Sequence, residues 1–365
     1  MSSSWFPASP RLHLSGPAAL VEAVPYLLGF RPRESVVAVV LRNVSGATPR
    51  VVATARADLA ASSVLALHGF VCRVAELGGE RVVVLAYGGT HPDAGASGVL
   101  TWTSGQRVDD LAAAAAVAAS FAAQDIEVVD LLVVEEMTGD PGAAGWRWRS
   151  GWCENPSCCP VNGRFVPDGG VVSTQAVGLG LTALPTRHDL EAELVPDLGL
   201  ADQVSGFLGH REVAGFADDA QRSEEVAALR SAIDADRAAD RLDPAVAARF
   251  LHALTDVHVR DAAAVLGPRR GSRGHRQAAL RRAQRMWHAL TCAAPVGWAA
   301  PPATLLAMTT YRLGDGARAN SALDRALADD PVYSLAQLME QALLLAIPPD
   351  ELEAIWLRSA RLKSA

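Results

Sequence analysis

The sequence predicts an α/β N-terminal domain, with a mixed or parallel sheet and flanking helices, followed by an all-α C-terminal domain. Apolar runs of strand length alternate with helical patterns over residues 1–170, an order typical of a sheet covered by helices. Strand patterns end near residue 170, and helical periodicity continues through 171–365. Half of the 365 residues are hydrophobic, which provides enough apolar surface for two buried cores.

The first predicted element is a helix over Pro17–Leu28. Proline suits the first turn of a helix, because its missing N–H needs no partner there. An apolar stripe runs along the segment, and Gly29 offers the left-handed conformation that commonly ends a helix. Pro25 lies inside the segment, so we expect it to bend the helix or end it early.

Strands dominate the rest of the N-terminal domain. Val36–Leu41 is a nearly continuous apolar run, as expected for a strand buried on both faces. Val108–Gln124 is alanine-rich and predicts a helix. The other predicted strands are Arg50–Ala57, Val82–Tyr87, Ile126–Val134 and an edge strand at Arg147–Trp152, which leads into a cysteine-rich turn that closes the domain.

Amphipathic patterns predict the helices of the C-terminal domain. The net charge is −8 over residues 171–257 and +7 over residues 258–288, so an acidic region precedes a basic one. The predicted helical segments include His188–Leu194, the acidic region 217–242, Pro244–Leu254, Ala262–Leu266 and the basic helix Gln277–Leu290.

Residues 305–338 predict a helical hairpin that resembles one tetratricopeptide-type unit. Gly314-Asp315-Gly316 forms its turn, Ala319 and Ala326 let two antiparallel helices approach closely, and Asp330-Pro331 ends it. Only one such unit is visible, whereas at least three normally stack to be stable. We therefore interpret the segment as a local hairpin and not as a repeat array.

Composition excludes several classes of function. Lys363 is the only lysine, so a P-loop and a Schiff-base lysine are effectively excluded. No apolar stretch reaches the roughly 18 residues that a membrane span needs, and the N-terminus lacks the pattern of a signal peptide. We therefore expect a cytoplasmic protein in a reducing compartment, where stable disulfides are rare.

A cysteine-rich turn follows Trp152, and three of the five cysteines lie within seven residues there: Cys153, Cys158 and Cys159. Cys153 and Cys158 have the spacing of a zinc knuckle, so zinc is a candidate cofactor with these three cysteines as ligands. Cys159 is adjacent to Cys158, and neighbouring residues seldom both reach one metal ion. A tetrahedral site would also need a fourth ligand from elsewhere in the chain: His188, Cys72 or Cys292.

Two other interpretations of the cysteine-rich turn stay open. A Cys153–Cys158 disulfide is sterically conceivable across Pro156, although a reducing compartment disfavours it. The turn is also explained by reduced thiols that pack as small apolar groups under Trp146, Trp148 and Trp152.

Polar residues follow the predicted strands at the ends where ligands gather in open α/β sheets. Arg56 and Asp58 follow the second strand, Tyr87-Gly88-Gly89 ends the third, and Glu135 and Glu136 follow the fourth. Carboxylates beside an arginine can bind a cation or transfer protons if burial shifts a pKa. Asp58, Glu135 and Glu136 are therefore candidate catalytic residues, and Arg56 is a candidate binding residue.

The turn after the first helix holds a second polar group. Arg31, Arg33, Glu34 and Ser35 cluster there, and their donors could form a small anion site. Alternatively the segment only specifies the turn, since Pro32 fixes φ. Arg31, Arg33 and Ser35 are candidate binding residues.

Two interpretations explain the basic segment between residues 258 and 288. Arg269, Arg270 and Arg273 belong to an arginine-lined loop and helix that could hold phosphates of a nucleic acid. No helix-turn-helix or aromatic stacking pattern accompanies them. The competing interpretation is that the basic helix docks on the acidic helices of 217–242.

Three blocks of the sequence together resemble a known family. They are Val24–Val37, the turn Cys158-Cys159-Pro160 followed by Gly163, and the hairpin from Gly314 to Pro331; Arg56-Ala57-Asp58-Leu59 fits as well. Over nearly its whole length the chain is similar to the actinobacterial family catalogued as domain of unknown function 4192. The resemblance implies a cytoplasmic actinobacterial protein and brings no activity or catalytic residues with it.

Two functions from different classes fit the sequence. The first is a non-catalytic binding or regulatory protein whose helical half contacts a protein partner, as the hairpin and the lack of a catalytic signature suggest. The second is a metal-dependent, hydrolase-like enzyme that uses Asp58, Glu135 and Glu136 or the cysteines. Convergence of those acids in one pocket would favour the enzyme.

Overall fold

The computed structural model describes residues 14–44, 47–58, 80–88, 105–138, 144–153, 163–179, 181–209, 218–238, 242–266, 272–345 and 347–362, with a few shorter pieces between them. The chain forms two compact units, Met1–Arg187 and His188–Ala365. The sequence predicted a division near residue 170.

In the described part of the first unit, seven strands form a mixed sheet at its centre. Its order is β2-β1-β3-β5-β6-β7, and β4 pairs with β5 off this path. β3 and β4 run parallel to β5, and the other neighbours are antiparallel. The strands are β1 (Ser35–Val44), β2 (Ala47–Asp58), β3 (Arg81–Tyr87), β4 (His91–Pro92), β5 (Glu127–Thr138), β6 (Gly145–Ser150) and β7 (Arg164–Pro167).

The strand that follows the cysteine-rich turn is not among the predicted elements. β7 pairs with β6, so the prediction that the segment starting at Arg147 forms an edge strand is wrong. The cysteine-rich turn is instead the connection between two antiparallel neighbours.

Helices accompany the sheet: α1 (Pro17–Leu28), α2 (Gly105–Ala122) and α3 (Val171–Gly178). α2 packs on the face that carries Val36, Val82 and Leu131. The alternate residues, such as Val37 and Leu85, are also fully buried, so both faces of the sheet are covered. The expected flanking helices and doubly buried strands are therefore present.

Pro25 does not end the first helix early. α1 continues to Leu28 and ends at Gly29, whose φ of 79° is the left-handed conformation expected there. On the inner side of α1, the buried Glu22 accepts a hydrogen bond from the N–H of Ser173 at 2.7 Å. Glu22 thus caps α3 from outside, and Gly170 leaves room for it, because a Cβ there would lie 2.5 Å from Glu22 Oε1.

The second unit is helical in all the regular elements that the structure describes. Aspartates cap several of its helices; Asp256, for example, accepts hydrogen bonds from the first turn of the helix that follows it. Trp287, Met286 and Leu251 are among its fully buried side chains. The helices are α4 (Arg187–Ala192, which starts at the boundary), α5 (Leu198–Leu208), α6 (Asp219–Asp234), α7 (Pro244–Ala253), α8 (Val257–Ala264), α9 (Arg273–Ala293), α10 (Ala300–Arg312), α11 (Gly316–Asp329), α12 (Ser334–Leu344) and α13 (Pro349–Leu362).

α10 and α11 pack against each other across the turn at Gly314, whose φ is 86°. Asp315 caps α11 by accepting the N–H of Arg318 at 3.0 Å. The likeness of this pair to a tetratricopeptide unit stays a prediction. None of the helices that the structure describes combines the length and apolarity needed to cross a membrane.

Candidate functional site at the strand ends

The register of the sheet brings two predicted sites together. β1 runs antiparallel to β2 and β3, so its first residue, Ser35, pairs with Asp58 and with Tyr87, the last residues of those strands. Tyr87 pairs in turn with Val134 of β5. Since alternate residues of a strand share a face, Arg56 and Glu136 lie on the same face as Ser35 and Tyr87.

The turn between α1 and β1 holds Arg31 and Arg33 over this end of the sheet. The N–H of Arg31 donates to the carbonyl of Leu184 at 2.8 Å, and the N–H of Leu184 donates to the carbonyl of Gly29 at 2.9 Å. Glu34 has a φ of 43°, a left-handed conformation that is uncommon outside glycine. The backbone of Arg31 and Glu34 therefore fixes the turn, and the turn places the side chains of Arg31 and Arg33 over the strand ends.

Glu136 binds both arginines of the turn. Its Oε1 accepts from Arg31 Nε at 2.6 Å and its Oε2 accepts from Arg33 Nε at 2.7 Å, while its side chain is only 4% exposed. Arg31 also donates through Nη1 to Asp168 at 3.0 Å and lies 4.5 Å from the ring centre of Trp146. Burial opposes the charge of Arg31, but Asp168 and Glu136 outweigh it and raise the pKa of Arg31.

Arg56 ties β2 to the same turn. It donates to Asp58 and, at 3.5 Å, to the carbonyl of Arg33, and it lies 5.5 Å from the ring centre of Phe30. We call the six charged residues of this region the strand-end network: Arg31, Arg33, Arg56, Asp58, Glu136 and Asp168.

The predicted catalytic carboxylates do not converge. Glu135 is buried but lies on the opposite face from Glu136, opposite Arg147 in the register of β6. Asp58 and Glu136 share a face, but β1 and β3 separate their strands, a gap of roughly 14 Å at ordinary strand spacing. Asp58, Glu135 and Glu136 therefore do not form one group, and their candidacy as catalytic residues stays a prediction.

Several buried polar atoms beside the network have no hydrogen-bond partner among the residues that the structure describes. They are Ser35 Oγ, Tyr87 Oη, Trp148 Nε1 and Arg56 Nε. Ser35 and Tyr87 are completely buried, and burial raises the pKa of Tyr87 despite the nearby charge of Arg31. Tyr87 also meets Trp146 edge-to-face at 5.4 Å. Ser35 and Arg56 were predicted binding residues, whereas Trp148 was not predicted to belong to this site. The alternation Trp-Arg-Trp-Arg from residue 146 was the available signal.

The cysteine-rich turn is organised by hydrogen bonds. Ser150 Oγ accepts the N–H groups of Trp152 and Cys153, both at 3.2 Å, and Asn155 accepts the N–H of Cys159 at 2.8 Å. Trp152 is half exposed, and Trp146 contacts Tyr87 and Arg31. The packing of reduced thiols under the tryptophans stays a prediction.

A metal at the cysteine-rich turn stays a prediction. Cys153 and Cys159 are partly buried and not disulfide-bonded, and Cys158 lies outside the described residues. Within the described part of the chain, no three histidine, cysteine, aspartate or glutamate side chains form a metal-binding group. Of the suggested fourth ligands, Cys72 accepts a hydrogen bond from Gln124 at 3.4 Å, and His188 and Cys292 belong to the second unit.

The basic helix α9 pairs with the acidic helical region at two points. Arg285 Nε donates to Asp236 at 3.0 Å, and Arg282 lies 3.9 Å from Asp234. The hydrogen bond from Arg285 lowers the pKa of Asp236. These pairs agree with the intramolecular docking interpretation. Arg269 and Arg270 lie outside the described residues, as does the side chain of Arg273.

Comparison with known proteins gives one match. A family model described as "Domain of unknown function (DUF4192)" matches residues 17–350, which include the sheet, the strand-end network and nearly all of the helical unit. No curated protein and no solved structure matches the chain.

Proposed function

The chain belongs to the DUF4192 family, and we propose that it is a non-catalytic binding or regulatory protein of the cytoplasm. The observation that carries the proposal is the pairing of the carboxylates at the strand ends with arginines. Glu136 is bound by two arginines, Asp168 by Arg31 and Asp58 by Arg56. Each of these three carboxylates therefore forms an ion pair with at least one arginine.

Such pairing is unfavourable for acid–base chemistry. A general base must take up a proton during turnover, and a metal ligand must direct its lone pairs to a cation. If Glu136 took up a proton or bound a metal ion, Arg31 and Arg33 would lose their acceptor at a largely buried position. The separation of Asp58, Glu135 and Glu136 likewise gives the metal-dependent hydrolase no support.

The helical unit offers a surface for a protein partner. Val296 and Val332 are 93% and 78% exposed and lie in the loops before α10 and after α11. Asp329 accepts the N–H of Gly297 at 2.8 Å, so the two loops adjoin. These two valines are the exposed apolar side chains through which we propose that the unit contacts another protein.

Nucleic acid is the less favoured partner. Arg282 and Arg285 are engaged with Asp234 and Asp236, and phosphate binding would have to compete with these pairs.

Mass spectrometry of a small-molecule extract from the source cells tests the absence of catalysis. The full chain is added in substoichiometric amount and metabolite levels are followed over time. We expect no metabolite to change by more than the amount of protein added. A progressive conversion that Glu136→Ala abolishes would contradict the proposal.

A second measurement tests the partner surface. Proteins bound to the full chain in native extract are quantified for wild type, for Val296→Asp with Val332→Asp, and for Val195→Asp, a matched control that is 63% exposed in the same unit. We expect the double variant to lose a specific, stoichiometric partner that the control retains. If all three proteins bind the same partners equally, Val296 and Val332 do not form the partner surface.

A further inference from the structure

We infer that the α/β unit binds a small organic cation, an ammonium or guanidinium group on an apolar body, in a cavity between α2 and β5. The cavity has a volume of about 570 Å³, within the usual range for small-molecule sites. The last turns of α2, the start of β5 and Trp152 line it together. The inference goes beyond the proposed function, because it adds a small ligand to a unit that the proposed partner surface does not include.

The end of β6 leaves an opening beside β5. β6 pairs with β5 only as far as Ser150, and the N–H of Gly151 then donates to the carbonyl of Leu131 at 2.6 Å. Residues 127–130 of β5 extend beyond this point, and among the described strands only β3 pairs with this part of β5. Ser150 also accepts the N–H of Trp152 at 3.2 Å, which fixes Trp152 at the border of the opening.

Small side chains of α2 keep the cavity open. Because helical residues three, four and seven positions apart share a face, one face of α2 lines the cavity with methyl groups alone. The four residues of this face are Ala115, Ala118, Ala119 and Ala122. Ile126 and Val128, around the start of β5, add further apolar surface. The walls therefore suit a ligand with an apolar body.

The charged lining of the cavity is acidic. Asp125 is exposed, its carboxylate has no hydrogen bond or ion pair among the residues that the structure describes, and it directly follows the negative end of the α2 dipole. Glu127, in contrast, accepts from Arg81 at 2.8 and 3.0 Å, so its charge is neutralised. No described lining residue is basic. The cavity therefore carries net negative charge and favours a cation over an anion.

Trp152 selects an organic cation over a metal ion. It is 52% exposed, and a cation held against an aromatic face is attracted by the ring electrons, most strongly for tryptophan. A hard metal ion needs several oxygen ligands, and the described residues contain no group of three histidine, cysteine, aspartate or glutamate side chains that could hold one. One unpaired carboxylate beside apolar walls and an indole instead fits an ammonium or guanidinium group.

Choline and its neutral isostere, in which a tert-butyl group replaces the trimethylammonium group, test the inference. Each is titrated into the full chain at constant ionic strength, with calorimetric heat and melting temperature as readouts. The two probes have nearly the same shape, so a difference in affinity reports the charge. We expect choline to bind at least about fivefold more tightly than the isostere.

Three substitutions change different parts of the site. Trp152→Leu keeps an apolar side chain but removes the ring, and should weaken choline binding by about tenfold. Asp125→Asn removes the charge and keeps a residue that tolerates the left-handed φ of 57°; it should weaken binding by about threefold, as for an exposed ion pair. Ala119→Leu fills the cavity with a residue that favours helices, and should abolish detectable binding.

Matched controls separate the cavity from the rest of the surface. Phe207→Leu replaces an aromatic side chain of similar exposure, 54%, in the helical unit. Ala116→Leu adds the same side chain at an exposed position of α2 that is not among the described lining residues. We expect both controls to bind choline like wild type, and melting without ligand shows that each variant is folded.

The inference is overturned if choline binds no more tightly than the isostere, or if Trp152→Leu and Ala119→Leu bind choline like wild type. Either result would leave the proposed function standing, because metabolite turnover and partner binding through Val296 and Val332 are measured separately. Conversely, progressive turnover of a metabolite would defeat the proposed function even if the cavity binds a cation.

Discussion

The buried carboxylates of the two units differ in the hydrogen-bond donors that they accept from. In the helical unit, Asp329 accepts the N–H groups of Gly297, Ala299 and Ala300 at 2.8–3.1 Å, ahead of α10. Asp256 likewise accepts two N–H groups at the start of α8 and a bond from Arg222. These carboxylates complete the hydrogen bonding of helix ends.

The strand-end network of the α/β unit is arranged differently. Glu136 accepts from the side chains of Arg31 and Arg33 and not from backbone N–H groups at a helix end. Glu136 belongs to β5 and the two arginines to the turn between α1 and β1, so these ion pairs join distant parts of the chain. A capping carboxylate therefore stabilises a local helix end, whereas Glu136 stabilises a long-range contact.

The largest effect is expected from Glu136→Ala, which breaks the network at its centre. Arg31 and Arg33 would lose a common acceptor at a position that is 4% exposed, and we expect the free energy of unfolding to fall by about 3 kcal/mol. Urea denaturation measures this. Asp58→Ala is the control, since the Asp58 side chain is 46% exposed and such pairs contribute under about 1 kcal/mol. Equal losses for both variants would show that Glu136 is not central.

Asp329→Ala should give the next largest effect. Three N–H groups would lose their acceptor at a side chain that is 2% exposed, so we expect a loss of about 2 kcal/mol. Asp329→Asn keeps an acceptor oxygen and should lose less than half of that. If the alanine and asparagine variants unfold alike, capping is not what Asp329 contributes.

The pH dependence of stability tests Asp256. Burial would raise its pKa, but the bonds from Arg222, Val259 and His258 outweigh burial and hold the pKa below its usual range. A lowered folded-state pKa stabilises the protein above the unfolded value of about 3.9, and that contribution is lost as the pH falls through the folded pKa. Asp256→Asn should therefore flatten the fall in stability below about pH 4. If Asp256→Asn leaves the dependence of stability on pH unchanged, Asp256 does not contribute to the loss of stability at low pH.

The smallest effect is expected at the basic helix α9. Arg285 is 44% exposed, so Arg285→Met should cost only about 0.5 kcal/mol, and less at high salt. Thermal melts at low and high salt check this. A large loss of nucleic-acid binding by the same variant, with stability unchanged, would revive the nucleic-acid interpretation.

Much of the fold was predictable because the strand and helix patterns are local. The helix Pro17–Leu28, the strands around Val36 and Val82 and the acidic and basic helices follow from periodicity alone. β7 was missed because only four residues, Arg164–Pro167, form it, which is too short for a recognisable alternation.

The site was only half predictable. Strand alternation already places Glu135 and Glu136 on opposite faces, so the sequence itself argued against using both in one catalytic group. The pairing of Arg31 with Asp168 joins residues 137 positions apart, and no local pattern contains it.

A crystal structure of the full chain tests the central claim, that Glu136 is held by two arginines and performs no catalysis, most directly. The account predicts that the two carboxylate oxygens of Glu136 lie within about 3 Å of Arg31 Nε and Arg33 Nε. A metal ion bound to Glu136, or a Glu136 carboxylate that neither arginine contacts, would contradict it.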